Sequence, residues 1–565
     1  MRLSAAEPAR EPDFTLRAVV SGLLVGALLC VANLYMGLKT GIWDSGHVTA
    51  SILAFALASG RLTRLENNVA QTTACAAGAV PAAAGLLGAI PALQLLGVQV
   101  PRWGIALWGL SLGVLGILFA VALRKRLLED EQLPFPTGVA TAEVIEALHA
   151  GGTGAQTRTQ ALLAGGVIGA VLAWFRDGKP SIIPGSIAAP GTLGGAPLGA
   201  LGIGMSISPL LWGVGMVVGP HIALSMLLGS AIAWGGLVPW LVHGPLHTPA
   251  LRDRLADWLS WPGTALLVGA AFVALVQQLG AARDAVRDLR WILRGTSRRN
   301  SSELVIGICA VLATVVVGKT AFGLRPWHTL VAVLLSVIGA SICARSAGLT
   351  DVSPLGPIGQ LTQLVYGLFA PGAPAVNIAA GSIVAGDATQ TPVALWSLRA
   401  GRAVQAPVRA QIGGAFFGCA VGALVCIPAY AAFVRAYGIG STRLPVPTAL
   451  QWKAMGEIVA RGPDALPQGA TLAAAAAGAF GVIVSVLGAT RLGRYLPSVF
   501  AMGVGMLIPF EYSLAIVAGA ALVSIGRRFR PEFWSRYAAA TGGGLIAGDA
   551  VVGFFAALLT SVGLL

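Results

Sequence analysis

Hydrophobic segments follow one another along almost the whole chain, separated by short polar gaps. Runs such as 16–38, 103–123 and 470–490 approach or exceed the roughly 20 apolar residues that cross a bilayer as one helix. Four other runs are too short to cross alone: 47–59, 137–149, 358–370 and 448–460. Membranes tolerate such segments where loose backbone is buried or lines a cavity, so they predict re-entrant or broken helices. The pattern predicts an all-α, polytopic membrane protein of about 16 transmembrane helices.

Composition supports this interpretation. Of 565 residues, 56% are hydrophobic and only 11% are charged, which leaves little room for a soluble domain. The run 16–38 is longer than the apolar core of a secretory signal and has no clean cleavage site after it, so it predicts a retained first span. The formal net charge of +14 comes from arginines in short gaps and not from a basic face with aromatic residues, which argues against nucleic acid as a partner.

Clusters of basic residues set the predicted orientation and domain boundaries. Because cytoplasmic loops are enriched in Lys and Arg, the basic gaps predict cytosolic segments. We expect an N-terminal cytoplasmic segment at 1–15, an N-terminal transmembrane half at 16–283, a basic cytoplasmic loop at 284–302 and a C-terminal transmembrane half at 303–565. The Arg-rich, Gly- and Ala-heavy composition favours a bacterial inner membrane. The six cysteines have neither pairing nor metal-ligand spacing and are expected to be small core residues.

The two halves share short motifs in the same order. Leu133–Thr137 (LPFPT) recurs as Leu444–Thr448 (LPVPT) at an offset of 311, and Gly213–Met216 recurs as Gly503–Met506 at an offset of 290. An extra polar loop near 177–205 accounts for the change of offset. Two internally repeated halves that meet around a central site are a common plan of secondary transporters, so the sequence predicts a transporter built by duplication.

Carboxylates within apolar runs are candidates for proton coupling. A charge at the bilayer centre costs about 2.5 to 3.5 kcal/mol on insertion scales, so such groups are functional candidates. Glu143 lies about one turn from Glu146 in a short run, while Asp387 and Asp549 interrupt glycine-rich stretches. Desolvated carboxyl groups can load and release protons near neutral pH. We predict Glu143 as the first candidate for proton coupling and Asp387 and Asp549 as the next, the alternative being exposed groups at helix ends.

Polar side chains in apolar surroundings are candidates for substrate binding. The set predicted from these residues is Asn33, Tyr35, Lys39, Asn67, Gln71, Thr72, His221, Thr350, Asp351 and Asp387. Amides, carboxylates and one lysine suit a zwitterionic peptide as well as an amino-carboxylate chelate. The alternatives are hydrogen bonds between helices for the amides and an ion pair between Lys39 and Asp44. We expect the candidate side chains to approach one cavity.

Several classes of function lack their motifs. The chain has no phosphate loop, no paired zinc histidines, no serine-elbow motif and no paired aspartate-rich motifs, and no cofactor or metal site is predicted. An enzyme acting on a lipid or isoprenoid is the first alternative to a transporter, and a channel is the second. Without a nucleotide-binding motif, the proton gradient is the expected energy source.

These motifs together resemble the oligopeptide transporter family, which includes the plant yellow stripe-like metal-chelate transporters. The resemblance covers nearly the whole chain. The segments that carry it are Asn33–Gly41, Glu66–Thr72, Leu123–Ala142, Gly213–Gly235, Gly348–Gln363, Tyr495–Ser498 and Gly544–Gly548. The resemblance adds Gln363 and Gln390 to the expected substrate-binding residues.

The resemblance implies about 16 spans and proton-driven import, by alternating access, of small peptides or metal chelates. Protons, the solute and membrane lipid are the expected partners. A homodimer is the expected oligomer. Many members carry a Gly-Asp-x-x-Gln-Asp-Leu-Lys-Thr-Gly stretch. This chain keeps Gly386, Asp387 and Gln390 but has Thr391–Val393 where Asp, Leu and Lys would stand. The ligand specificity of characterised members therefore does not carry over to this chain.

Overall fold

The computed structural model describes residues 13–150, 153–193, 196–243, 251–277, 301–462, 466–467, 469–561 and 563–564. The basic loop predicted at 284–302 lies outside the described residues apart from 301–302, and the segment predicted at 1–15 lies outside them apart from 13–15. Five of the six cysteines are buried and Cys309 is exposed.

The described residues fold almost entirely into α-helices. In chain order these are α1 (Leu16–Thr40), α2 (His47–Leu57), α3 (Arg64–Ala83), α4 (Ala89–Leu95), α5 (Arg102–Arg124), α6 (Pro136–His149), α7 (Thr153–Asp177), α8 (Pro209–Ala231), α9 (Val238–His243), α10 (Leu251–Gln277), α11 (Ser301–Phe322), α12 (Pro326–Thr350), α13 (Leu355–Phe369), α14 (Pro374–Ala403), α15 (Val408–Tyr437), α16 (Pro447–Arg461), α17 (Ala470–Gly488), α18 (Val499–Leu507), α19 (Phe510–Phe529) and α20 (Pro531–Ser561).

The connection between α7 and α8 contains short strands. They are β1 (Ser186–Ala188), β2 (Thr192–Leu193), β3 (Ala196–Pro197) and β4 (Gly204–Ser206). Strand β1 pairs antiparallel with β4, with Ser186 opposite Ser206, and β2 pairs antiparallel with β3. This segment includes the stretch that was predicted as an extra polar loop.

Ten helical stretches in the described part of the chain are long and apolar enough to cross a membrane. They are Leu16–Thr40, Arg102–Asp130, Thr157–Asp177, Pro209–Leu241, Ser302–Phe322, Pro326–Thr350, Val408–Tyr437, Ala470–Gly488, Phe510–Phe529 and Pro531–Ser561. The prediction of a nearly all-α, multi-pass membrane protein is therefore confirmed. The total of about 16 spans stays a prediction.

Short and interrupted helices account for much of the remaining apolar sequence. The four runs that are too short to cross alone form α2, α6, α13 and α16. Helix α8 is interrupted at Gly219, whose φ of 78° and ψ of 175° lie outside the helical region. Pro220 follows, and its missing N–H group reinforces the break. In the second half, extended backbone at Ile508 and Pro509 separates α18 from α19.

Glycines bring helix backbones together, as is common between membrane helices. Gly215 in α8 closes on the backbone of Ile516 in α19, and Gly505 in α18 closes on the backbone of Met226 in α8. Residue 505 lies 290 positions after residue 215, and residue 516 lies 290 positions after residue 226. Each contact is therefore the repeat equivalent of the other, with the glycine in the first half in one contact and in the second half in the other. Side chains larger than hydrogen at these glycines would force the helices apart.

The two LPxPT loops also make corresponding contacts. Phe135 and Val446 have left-handed backbone conformations, with φ of 46° and 44°, directly before the prolines that start α6 and α16. The N–H of Phe135 donates to the carbonyl of Gly348 at the end of α12, and the N–H of Val446 donates to the carbonyl of Leu38 at the end of α1. Each loop is thus fastened to a long helix of the other half.

The polar start of α3 is explained by capping. The Thr63 side chain accepts a hydrogen bond from the Glu66 N–H, and the Glu66 side chain accepts one from the Thr63 N–H, which forms a capping box. Arg17 of α1 binds the same carboxylate at 2.7 Å. Glu66 therefore starts α3 and joins it to α1.

Candidate substrate site

A cavity of about 650 Å³ lies between elements from both halves of the chain. From the first half come the loop Gly41–Trp43, the start of α4, the second segment of α8 and the end of α10. From the second half come the starts of α13, α16 and α18, the middle of α14 and the end of α17. Because several helices begin here, backbone groups at helix ends as well as side chains face the space.

The described part of the cavity wall carries no Asp, Glu, Lys or Arg. Its polar side chains within the described residues belong to His221, Gln277, Ser353, Gln360, Ser382, Thr389, Thr448, Gln451, Ser485 and Ser498. Most of the remaining wall is glycine, proline and apolar side chains, with Trp43 and Trp452 among them. The described wall therefore offers hydrogen bonds and apolar contact, and it has no charged side chain for an ion pair.

His221 is the predicted binding residue that the structure places in this wall. It follows the break in α8, and its Nε2 donates to the carbonyl of Leu496 at 3.0 Å. The hydroxyl of Ser225, one turn later, donates to the carbonyl of His221 and accepts from the N–H of Ser498 at the start of α18. These bonds connect the segment of α8 that follows the break at Gly219 to the residues directly before α18 in the second half.

The candidates on α1 have neighbours that hold the helix in place. Asn33 donates to the carbonyl of Asp44 at 2.7 Å and accepts from its N–H at 3.3 Å, so it fixes the loop after α1. Tyr35 stacks on Phe433, with ring centroids 4.7 Å apart. The Lys39 ammonium lies 4.4 Å from the centroid of the Tyr35 ring. The alternative pair of Lys39 with Asp44 does not occur among the ion pairs of the described residues.

The candidates on α3 and at the middle of α14 form a buried polar layer between these helices. The Gln71 amide donates to the hydroxyl of Ser397 at 3.1 Å, and the Gln390 amide donates to a backbone carbonyl of α3 at 2.9 Å. Thr72 donates to a carbonyl one turn earlier in its own helix. The Asn67 amide is fully buried and makes no hydrogen bond. This layer agrees with the alternative of hydrogen bonding between helices.

Asp387 and Gln363 are buried without normal hydrogen bonds. The Asp387 side chain is fully inaccessible and neither oxygen accepts a bond of normal geometry. The nearby hydroxyl of Ser336 in α12 donates to a carbonyl of its own helix. Both polar atoms of the Gln363 amide also lack partners. The two residues lie behind the cavity wall and not in it.

Asp351 and Thr350 end α12 and have different surroundings. The Asp351 carboxylate accepts from the Thr137 N–H at 3.1 Å and from the Thr137 hydroxyl at 2.6 Å, so it caps the start of α6. Thr350 is exposed, and its hydroxyl donates to the carbonyl of Ser346. The Asp351 carboxylate is therefore already hydrogen-bonded to the start of α6. The next residue, Val352, lines the cavity.

The other predicted coupling carboxylates also differ in environment. Glu143 is exposed on α6 and has no partner among the described residues. Asp549 is fully buried, and Arg176 binds both of its oxygens at 2.8 and 3.0 Å. The Ser208 hydroxyl and the Leu210 N–H complete its shell at 3.0 and 2.9 Å. Asp549 is thus a satisfied ion-pair partner.

The described cavity contains few of the candidate side chains, and a site shared by them stays a prediction. Of the twelve predicted binding residues, only His221 lines the described cavity. Most of the others are held by helix packing, by capping or by hydrogen bonds between α3 and α14. The amides of Asn67 and Gln363 and the carboxylate of Asp387 are buried without a hydrogen bond. Sequence reasoning missed Gln451 and Trp452, which lie in the second turn of α16 and face the cavity. Their sequence signals are the LPVPT motif that precedes them and the short apolar run 448–460 that contains them.

No group of three or more His, Cys, Asp or Glu side chains suitable for a metal ion occurs in the described ranges.

A multi-pass helical bundle with a cavity where interrupted helices from both halves meet has the architecture of a membrane transporter. The sequence profile of the OPT oligopeptide transporter protein family matches residues 13–560. The chain belongs to this transporter family and is not an enzyme.

Curated relatives match over nearly their whole length. A putative oligopeptide transporter of Haemophilus influenzae is 25% identical over 93% of this chain and 92% of its own length. A metal-nicotianamine transporter of Arabidopsis thaliana is 23% identical over 97% and 93%, respectively. A putative oligopeptide transporter of Saccharomyces cerevisiae is 22% identical over 90% of both chains. The names of these relatives divide between peptides and metal chelates.

Proposed function

We propose that this protein is a proton-coupled importer of small peptides, or of peptide-like or metal-chelate solutes, that works by alternating access. The observation that carries the proposal is the cavity of about 650 Å³ between helix starts and breaks of both halves. This volume lies within the usual range of small-molecule sites, about 300 to 1,000 Å³. The cavity is the proposed substrate site, and the membrane is the proposed bacterial inner membrane.

The proposal includes duplication, with 16–283 and 303–565 as related halves of a bundle of about 16 spans. Two observations support it. The LPxPT loops bind the ends of α12 and α1 with the same backbone hydrogen bond. The contact of Gly215 with Ile516 and the contact of Gly505 with Met226 are equivalent at the offset of 290. Relative movement of such halves around a fixed site is a common means of alternating access.

The chemistry of the wall favours cargo that carries amide groups. A peptide bond offers one donor and one acceptor, which match the amide of Gln451 and the wall hydroxyls. The described wall has no charged side chain to neutralise a highly charged chelate. We therefore place small peptides before metal chelates. Protons and membrane lipid are the other proposed partners, and the proposed oligomer is a homodimer.

Among the predicted coupling carboxylates, Asp387 has the environment that best suits proton binding. A buried carboxylate without a partner is costly, so the group favours its neutral form until a partner or water reaches it. Asp387 lies on α14, which also contributes Ser382 and Thr389 to the cavity wall. A movement of α14 on cargo binding would change the access of Asp387 to water. Asp549 and Glu143 remain weaker candidates.

Uptake by the purified full-length chain in proteoliposomes tests this function. We expect saturable uptake of labelled trialanine that accelerates when the outer pH is lowered, and counterflow without a gradient. A non-saturating flux would identify a channel instead. Saturable uptake that ignores the pH gradient would remove proton coupling, and transport of an iron chelate without any peptide transport would reverse the proposed order of cargo.

A further inference from the structure

The starts of α6 and α16 provide an internal comparison. Both helices follow an LPxPT loop, begin at proline and have threonine as the second residue. At α6 the carboxylate of Asp351 binds both the N–H and the hydroxyl of Thr137. The first N–H groups of a helix have no partner within it and attract negative charge. Asp351 supplies that charge at α6.

At α16 the corresponding carboxylate is missing. Asp351 directly follows α12, and Gly41 directly follows α1, which has the same length of 25 residues. Both residues have left-handed backbone, with φ of 63° and 71°. By their position directly after these two helices, Asp351 corresponds to Gly41. The offset of 311 pairs Asp351 with Thr40 instead, so the two alignments differ by one position. A Cβ atom added at Gly41 would lie 3.0 Å from the Thr448 Oγ1 and 3.9 Å from the Thr448 nitrogen.

Thr448 consequently has unused donors. Within the described part of the chain, neither its N–H nor its hydroxyl has a hydrogen-bond partner. Gly41 and Thr448 both line the cavity. The start of α6, in contrast, is closed by a side chain of the protein itself.

The next turn of α16 adds two buried polar side chains to the same wall. Gln451 is 7% exposed and Trp452 is 6% exposed, and both line the cavity. Neither the Gln451 amide nor the Trp452 indole N–H makes a hydrogen bond with the described residues. Both side chains are mostly buried, yet their unpaired polar atoms open onto the cavity, so these donors are available to a ligand. Spacings of three and four residues place them on the side of α16 that carries Thr448.

We propose that the start of α16 binds a carboxylate group of the cargo, in the position that Asp351 occupies at α6. The inference rests on the proposed function, which makes this cavity the substrate site. The Thr448 N–H and hydroxyl bind the two carboxylate oxygens, while Gln451 and Trp452 supply further donors. The helix dipole adds to charge-assisted hydrogen bonds, so a wall without lysine or arginine still holds an anion. For a peptide, the group is the C-terminal carboxylate.

The first test compares trialanine with trialanine amide, which lacks only the terminal charge. Binding to the purified full-length chain is measured by calorimetry. We expect the acid to bind at least about tenfold more tightly than the amide. Thr448→Val, which removes one donor, should reduce this preference severalfold. Thr137→Val is the matched control, because it makes the same change at the α6 start outside the cavity, and it should leave the preference unchanged.

The second test introduces a carboxylate of the protein itself at the proposed site. Gly41→Asp places a carboxylate where Asp351 has one, and aspartate is among the residues that adopt left-handed backbone most readily. We expect the preference for the acid to disappear in this variant. Without any cargo, Gly41→Asp should also melt at a higher temperature than Gly41→Ala, which adds the same Cβ atom but no carboxylate.

The outcomes separate this inference from the proposed function. Equal binding of acid and amide by the wild-type chain would overturn the carboxylate site while leaving a peptide site in the cavity. If the wild-type chain binds neither peptide, peptide transport as proposed fails. The melting comparison then decides the inference alone: Gly41→Asp above Gly41→Ala supports an anion site at α16, and Gly41→Asp at or below Gly41→Ala overturns it.

Discussion

Asp387 and Asp549 are both fully buried, yet their surroundings are opposite. Asp549 has an arginine on both oxygens together with a hydroxyl and a backbone N–H. Asp387 has no hydrogen bond of normal geometry. In sequence both interrupt glycine-rich apolar stretches, and both were predicted to couple protons. The comparison shows that burial alone does not indicate the role of a membrane carboxylate.

The partner decides the role because it fixes which charge state is stable. An arginine that is itself buried holds a carboxylate in its ionised form and would be left uncompensated if that carboxylate were neutralised. Arg176 has only 5% of its side chain exposed, so Asp549 cannot be neutralised without this penalty. Asp387 has no such partner among the described residues, so this penalty does not oppose its neutral form.

The largest expected effect is on stability, in Asp549→Asn. We expect a loss of about 3 to 5 kcal/mol, because the substitution leaves the Arg176 charge buried without its main partner. Asp387→Asn is the matched control and should change stability by less than about 1 kcal/mol, since no hydrogen bond is removed. Unfolding in detergent, followed by tryptophan fluorescence, measures both. Equal losses in the two variants would mean that Asp387 has an essential partner after all.

The next effect is on transport, in Asp387→Asn. Uptake driven by a pH gradient should fall at least about tenfold, because an intramembrane proton site is removed. Counterflow without a gradient should continue, since the cavity wall is unchanged. The exposed Glu143→Gln variant is compared in the same assay, and we expect it to keep gradient-driven uptake. A Glu143→Gln variant that loses gradient-driven uptake while Asp387→Asn keeps it would exchange the roles of these two residues.

Local pattern was sufficient to predict much of the fold. Hydropathy located the long spans, and the four short apolar runs correspond to α2, α6, α13 and α16. Proline at the first helical position explains why α6 and α16 begin where they do, because its fixed φ suits that position. These features depend on neighbouring residues, so the sequence contains them directly.

The site depends on pairings between distant residues, which one sequence does not reveal. Nothing near Asp549 indicates that Arg176, 373 positions away, binds it. Asp351 and Gly41 look unrelated until both helix ends are placed beside a threonine N–H. The direction in which a polar side chain points is also set by packing, so Lys39 lies against Tyr35 and His221 faces the cavity.

Asp351→Gly has a smaller expected effect and extends the comparison to a partly buried carboxylate. The substitution gives the α6 start the same neighbour as the α16 start and preserves the left-handed backbone. We expect a loss of about 1 kcal/mol in unfolding free energy, because the Thr137 N–H and hydroxyl lose a charged acceptor. Thr350→Ala, on the preceding exposed residue, should have no measurable effect. An unchanged melting temperature for Asp351→Gly would show that water replaces the cap without loss.

The smallest expected effect concerns Glu131, a paired carboxylate that directly follows the helical stretch Arg102–Asp130. Arg345 binds it at 2.5 Å and Arg126 at 2.9 Å. Partial burial raises the pKa of Glu131, but the hydrogen bonds and charges of Arg345, and then of Arg126, outweigh burial and hold the pKa below its ordinary value of 4.5.

Since the pKa of Glu131 is lower in the folded state, its contribution to stability is fully present above pH 4.5 and is lost as the pH falls through the folded value. Glu131→Gln should therefore destabilise the protein at pH 7 by less than about 1 kcal/mol, because the pair is partly exposed to solvent. The difference from wild type should shrink below pH 4.5. A difference that grows on acidification would mean that Glu131 is held neutral, as Asp387 is proposed to be, and would place it with the unpaired carboxylates.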